Sequence, residues 1–164
     1  ITATPLHRAS ASRDFANEGV HQPVSLLALE GELPPGKQVI APQIAEQVLQ
    51  VLHAVTGEHG TARKARVPGY QVGGKTGTVH KVGPGGYIDD QYVALFAGVA
   101  PASDPRIVTV VVINDPKGES YGGGSAAAPV FSEVTRGALR ILNVPPTEIG
   151  EVAESAPSRR GGAA

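Results

Sequence analysis

The chain has 164 residues, 41% of them apolar and 18% charged, with a formal net charge of −1. That balance supports a packed core and gives no basic footprint of the kind a nucleic-acid binder carries. Cys is absent, which excludes a disulfide frame and thiolate metal sites. Aromatic residues make up only 4% and Trp is missing, so there is little on which nucleic-acid bases could stack.

Met is missing too, and the chain opens on Ile1, as expected of a processed, excised or partial sequence. No apolar stretch approaches the ~20 residues needed to span a bilayer. Any export or anchoring segment is expected upstream.

In chain order, Thr4-Pro5 predicts a helix start, with Thr as cap and Pro in the first turn; the segment Leu6 to Asn17 that follows is weakly periodic. Gln22 to Leu29 is a short apolar run, predicted as a strand, and Pro34-Pro35-Gly36 marks a surface loop. From Pro42 to Val55, the residues Ile44, Val48, Val51, Leu52 and Val55 recur at helical spacing and predict one buried stripe. Gly57 to Gly69 is polar, basic and glycine-containing, and predicts a surface loop.

Beyond it the period changes. Gln71 to Val79 predicts a strand, the glycine-rich stretch Lys81 to Asp90 a turn, and Tyr92 to Ala100 and Arg106 to Ile113 two more strands. The five-residue link 101–105 suits a hairpin. The run Ile107 to Ile113 has little polar alternation, so both of its faces should be covered. Pro129 opens a last helix with Val130, Phe131, Val134, Ala138, Ile141 and Leu142 on one side, stopped by Pro145-Pro146. The predicted fold is mixed α/β (α+β): helices first, then three consecutive antiparallel strands, then a packing helix. One domain covers 1–148, followed by a disordered tail, 149–164.

The string Gly73-Gly74-Lys75-Thr76-Gly77-Thr78 carries the chemistry. Gly69 followed, after four residues, by Gly74-Lys75-Thr76 matches the phosphate-binding loop letter for letter. That loop needs a buried strand before it and a helix at the lysine. Ala65-Arg66-Val67-Pro68 is no such strand, and Gly83-Pro84-Gly85-Gly86 downstream is no helix. The alternative is the Lys-Thr-Gly triad of serine acyl-transferases, which lies on a strand. There Lys75 places a positive charge beside nucleophile and substrate carboxylate. Thr76 and Thr78 share one strand face, with hydroxyls suited to that carboxylate. Gly77 lets an extended substrate lie close, and a backbone N–H near Thr78 can serve an oxyanion hole.

The surrounding strings extend this match. They are Thr2-Ala3-Thr4-Pro5-Leu6, Ala16-Asn17, Gln22-Pro23-Val24-Ser25, Pro68-Gly69-Tyr70 and Phe96-Ala97-Gly98-Val99-Ala100-Pro101. Val111-Val112-Ile113-Asn114-Asp115-Pro116, Ala128-Pro129-Val130-Phe131 and Val144-Pro145-Pro146 complete the series. Over about 145 residues the chain resembles the C-terminal part of the transpeptidase domain of class B penicillin-binding proteins of the cell-division type (penicillin-binding protein 3 type).

The resemblance implies a peptidoglycan D,D-transpeptidase at the division septum, on the periplasmic face of the bacterial inner membrane, with the anchor outside this chain. It implies stem peptides ending in D-Ala-D-Ala as substrates, β-lactams as acylating ligands and division proteins as partners; no cofactor and no metal is expected. Lys75, Thr76, Gly77 and Thr78 would be catalytic, and Thr76, Thr78, His80, Tyr121 and Gly122 would bind substrate. The family's Ser-x-x-Lys and Ser-x-Asn motifs occur nowhere in these residues, so an upstream transpeptidase segment would bring the serine. In the relatives the Lys-Thr-Gly strand belongs to a five-stranded sheet to which that segment contributes, so the chain is expected to be well ordered only in its company.

Departures from the family pattern bear on ligand binding. One aromatic stands in Ser120-Tyr121-Gly122-Gly123 where relatives often have two, and His80 replaces a longer basic residue. The first helix, with Arg8, Ser10, Ser12, Arg13 and Asp14, is more polar than usual. The competing functions are a serine β-lactamase relative and a non-catalytic module that binds β-lactams or partners. His7, His21, His53 and His59 have no metal-ligand spacing. Glu46, Glu58 and Asp89-Asp90 are predicted to be solvated.

Overall fold

The computed structural model describes residues 3–118 and 120–147. The first helix, α1 (Pro5–Ala16), starts where the cap and proline place it. The Thr4 hydroxyl accepts the His7 N–H at 3.2 Å, satisfying one of the helix's orphan donors. Past the helix, left-handed Glu18 and Gly19 reverse the chain into β1 (Val20–His21). This strand pairs with β2 (Lys37–Gln38) in a short antiparallel ribbon.

Residues 22–36 between them form an irregular loop, and the strand predicted at Gln22 to Leu29 does not exist. Pro23 has no N–H to give a ladder, and among the described residues no strand pairs with the run. Its leucines point outward, with Leu26 90% and Leu27 81% exposed.

Helix α2 (Pro42–Ala54) matches its predicted limits to within a residue. Its stripe is only partly covered. Ala45 is fully buried and Val48, Leu52 and Val55 are half-buried, while Ile44 and Val51 stay exposed.

The central sheet is antiparallel in the order β3 (Gly73–Gly83), β4 (Gly86–Ala100), β5 (Ile107–Asn114). The predicted strand order therefore holds. Its register sets Thr76 opposite Phe96, and Phe96 opposite Val111. Helix α2 packs on β3, with the Gly73 backbone against Leu52 and His53. Helix α1 lies against β5 and α2. β5 is half-buried along most of its length but exposes Val112, so its cover is partial.

A π-helical turn, Gly123–Ala127, leads into α3 (Ala128–Ile141), which packs on β4 and β5. The side predicted to face inward holds at Phe131 and in part at Ala138, and fails at its other four positions. Val130, Val134, Ile141 and Leu142 are exposed, whereas Phe131, Thr135 and Leu139 are fully buried. Phe131 sets this phase by meeting Phe96 edge to face, ring centres 4.8 Å apart. With Phe131 on the inner line, the i+4 and i+8 positions must follow it inward. Thr135 is therefore internal, its hydroxyl 3.4 Å from that of Thr109.

The core gathers Val67, Val72, Phe96, Phe131 and Leu139 with the small residues Ala62, Ala65, Ala127 and Ala128. The segment after α3 is tied down by Tyr70, whose hydroxyl donates to the Val144 carbonyl at 2.7 Å. No described helix is long and apolar enough to cross a membrane. The tail expected from 149 lies outside the described residues.

Candidate active site

The Lys75–Thr78 string lies in mid-strand on β3, with no helix at the lysine. That disposes of the phosphate-loop match, whose chemistry needs helix-end amides at this point. Among the described residues β3 pairs only with β4, so its other edge offers unpaired backbone N–H and C=O groups. Such an edge can take an extended peptide as an additional strand.

Strand alternation sorts the side chains. Thr76 and Thr78 face the turn that follows Tyr121, as their shared face predicts. The Thr78 hydroxyl accepts the Gly123 N–H at 3.1 Å. Its own proton remains free to donate to a ligand oxygen. The Thr76 hydroxyl lies 3.4 Å from that of Thr61. Lys75 is exposed, and its ammonium donates to the Thr76 carbonyl at 3.1 Å. One cation and two hydroxyls thus stand within four residues of one strand, the hydroxyls turned toward Gly123 and Thr61 and the ammonium on the backbone of Thr76.

Glycines make this approach possible. A Cβ on Gly123 would stand 2.3 Å from the Leu95 carbonyl oxygen and 2.6 Å from that of Gly77. The turn is thereby seated directly on the strand backbone. A Cβ on Gly77 would meet the Leu95 side chain at 2.8 Å. Its bare backbone therefore accommodates a neighbouring strand, and the close approach expected of substrate is made here by Leu95.

His80 and Tyr121 meet through a residue the sequence analysis overlooked. Tyr92, opposite His80 in the register, holds the imidazole at 4.4 Å on one side and stacks on Tyr121 at 3.9 Å and 12° on the other. Tyr87 closes the row with an edge contact to His80 at 5.8 Å. The Tyr121 hydroxyl, then partial burial, then the charges of Tyr121, Asp90 and Asp89 push the Tyr92 phenol above its ordinary pKa. The row is an aromatic wall on the Thr78 side of β3. Its signal was the hairpin itself, since pairing across Gly83–Gly86 brings Tyr92 opposite His80.

Gly122 stands next to Thr78, but its carbonyl is used within the turn, accepting from the Ser125 and Ala126 N–H groups and the Ser125 hydroxyl. Thr61 is the second overlooked member. It sat in a stretch read as plain loop, and no pattern linked it to Thr76. The carboxylates of Asp89 and Asp90 are exposed on β4, as solvated positions should be.

The family model described as the penicillin binding protein transpeptidase domain matches residues 1–136. The chain belongs to the penicillin-binding protein transpeptidase family. It is 39% identical over 146 residues to the peptidoglycan D,D-transpeptidase FtsI of Escherichia coli (strain K12), covering 89% of this chain and 25% of that protein. To the probable peptidoglycan D,D-transpeptidase PbpC of Pseudomonas aeruginosa it is 42% identical over 141 residues, 86% of this chain and 25% of the other. Among solved structures it is similar to the apo transpeptidase domain of Burkholderia pseudomallei penicillin-binding protein 3. There the TM-score is 0.82 at 38% identity, covering 88% of this chain and 44% of that one. The chain therefore spans about a quarter of the length of these two curated relatives.

Proposed function

We propose that this chain supplies the Lys-Thr-Gly strand of a peptidoglycan D,D-transpeptidase that cross-links stem peptides at the division septum, outside the cytoplasm. The observation that carries it is the Lys75–Thr78 string on β3, a strand with no second strand partner among the described residues, with the Thr78 hydroxyl held by the Gly123 turn.

In this reading a stem peptide ending in D-Ala-D-Ala lies along that edge, its terminal carboxylate between the two hydroxyls and near the Lys75 ammonium. Charge-assisted bonds of this kind hold more strongly than neutral ones. A serine from a Ser-x-x-Lys segment attacks the penultimate D-Ala carbonyl. The C–N bond to the last D-Ala breaks, that residue leaves with a proton on its amine, and a serine ester remains. An amine of a second stem then displaces the serine and forms the cross-link amide. A β-lactam ring opens on the same serine, its amide becoming the ester. Lys75, Thr76, Gly77 and Thr78 are the catalytic strand; His80, Tyr121 and Gly122, with Tyr92, wall the substrate. Division proteins are the expected partners.

The test is D-alanine release from a synthetic peptide ending in D-Ala-D-Ala, with this chain and a Ser-x-x-Lys segment together. Release is expected only from the pair. Thr78→Val should lower it roughly ten- to a hundredfold, the worth of a hydrogen bond to a charged group. A Thr78→Val pair that works at the full rate would refute the role given to β3.

A further inference from the structure

A further hydroxyl stands beside Thr76. That of Thr61 lies 3.4 Å from it, longer than a full O–H···O bond, which closes at about 2.7–2.8 Å. Neither hydroxyl is therefore committed to the other, and each can turn its proton toward a third atom. An acceptor oxygen about 2.7 Å from both fits between them.

The spacing is held from both sides. Thr61 precedes fully buried Ala62, whose N–H donates to the Val55 carbonyl at 3.0 Å. Opposite, the turn carrying Gly124 closes on the pair. A Cβ on residue 124 would stand 2.2 Å from the Thr61 carbonyl oxygen and 3.5 Å from the Thr76 methyl. Thr76 is placed by the ladder that sets it opposite Phe96. Thr61 itself is exposed and borders an open depression with Gly122, Gly124 and Ser125, so a ligand can reach it.

We infer that Thr61 is a further carboxylate-binding residue of the site. Its hydroxyl and that of Thr76 donate together to one oxygen of the substrate's terminal carboxylate, while Thr78 donates to the other. The inference rests on the transpeptidase reading and deepens it. Along β3 the order Thr76, Thr78, His80 runs from the peptide's end toward the aromatic row that walls its body. The terminal carboxylate is therefore the part of the peptide that comes nearest Thr61. A carboxylate oxygen has lone pairs for two donors, and hydrogen bonds to an ionised acceptor are the stronger kind.

The experiment uses this chain together with a Ser-x-x-Lys segment and two N-acyl-D-alanyl thioesters. The leaving thiol is mercaptoacetate in the first and its amide in the second, so only the first presents a carboxylate where the last D-Ala would. Attack by the serine breaks the C–S bond, and the released thiol is measured. Thr61→Val keeps the branched shape and removes the hydroxyl. It should raise KM for the carboxylate thioester roughly two- to tenfold, the worth of one shared hydrogen bond. The kcat should stay unchanged, because the carboxylate is held alike before and during the reaction. KM for the amide thioester should not move, and Thr61→Ser, which keeps the hydroxyl, should retain the parent KM for both. Equal effects of Thr61→Val on the two thioesters, no effect on either, or a Thr61→Ser variant as impaired as Thr61→Val would overturn the assignment. Failure of the unsubstituted pair to release thiol from either thioester would instead remove the transpeptidase reading, and the role of Thr61 with it.

Discussion

At the scale of single residues, the candidate site was legible where chemistry and strand alternation coincide. The strand position of Lys75, Thr76 and Thr78, and the shared face of the two threonines, were legible because alternation is local. Thr61, Tyr92 and Gly123 were not legible. Each acts through a partner 15 to 45 positions away, Thr61 on Thr76, Tyr92 on Tyr121 and Gly123 on Thr78; the hairpin marks Tyr92 as the neighbour of His80, but nothing local marks these three contacts. Asp115 combines a distant backbone contact with a local ion pair. It follows β5 with a left-handed φ of 55°, its N–H donates to the Tyr92 carbonyl at 2.7 Å, and its carboxylate meets the Lys117 ammonium at 2.8 Å. The Lys117 contact, aided by the charges of Lys117 and Lys81 against slight burial, holds this acid below its usual pKa. An acid with a depressed folded pKa stabilises fully above its unfolded value of ~3.9, and that contribution fades as pH falls through the folded one. The urea midpoint of the protein should therefore drop on acidification below about pH 4, and Asp115→Asn should flatten part of that drop. An identical acid slope in the variant would show that the contact contributes nothing to folding.

At the scale of elements, periodicity and punctuation located α1, α2 and all three sheet strands. The capping pair Thr4-Pro5 and the hairpin link near Pro101 are local signals, and local signals survive folding. The failures were tertiary. Gln22 to Leu29 has strand-like composition, yet a strand exists only where another edge receives it. Helix α3 has two candidate apolar faces, and the contact of Phe131 with Phe96 selects the one carrying Thr135 and Leu139. Removing that contact should therefore cost more than removing any exposed apolar residue of the helix. Phe131→Ala is expected to lose about 3–5 kcal/mol, against under about 1 kcal/mol for Val134→Ala, read as urea midpoints at constant slope. Equal losses would mean that the phase of α3 is wrong.

At the scale of the whole molecule, the described residues leave an unusual amount of apolar surface in water. Leu26 and Leu27 in the long loop, Ile44 and Val51 on α2, and Ile141 on α3 are all exposed, and the outer edge of β3 has no strand partner among the described residues. Open edges and apolar patches of this kind call for a covering partner. With the β3 edge taken by substrate and by the segment that brings the serine, neither half should acquire chemistry alone. The most direct measurement is covalent labelling by a fluorescent penicillin, resolved on a denaturing gel, of this chain, a Ser-x-x-Lys segment, and their mixture. Label is expected on the Ser-x-x-Lys segment only, and only in the mixture, with a large loss when Lys75 is replaced by Ala. Label on this chain itself, or on the Ser-x-x-Lys segment at the same rate without it, would rule out the role given to β3.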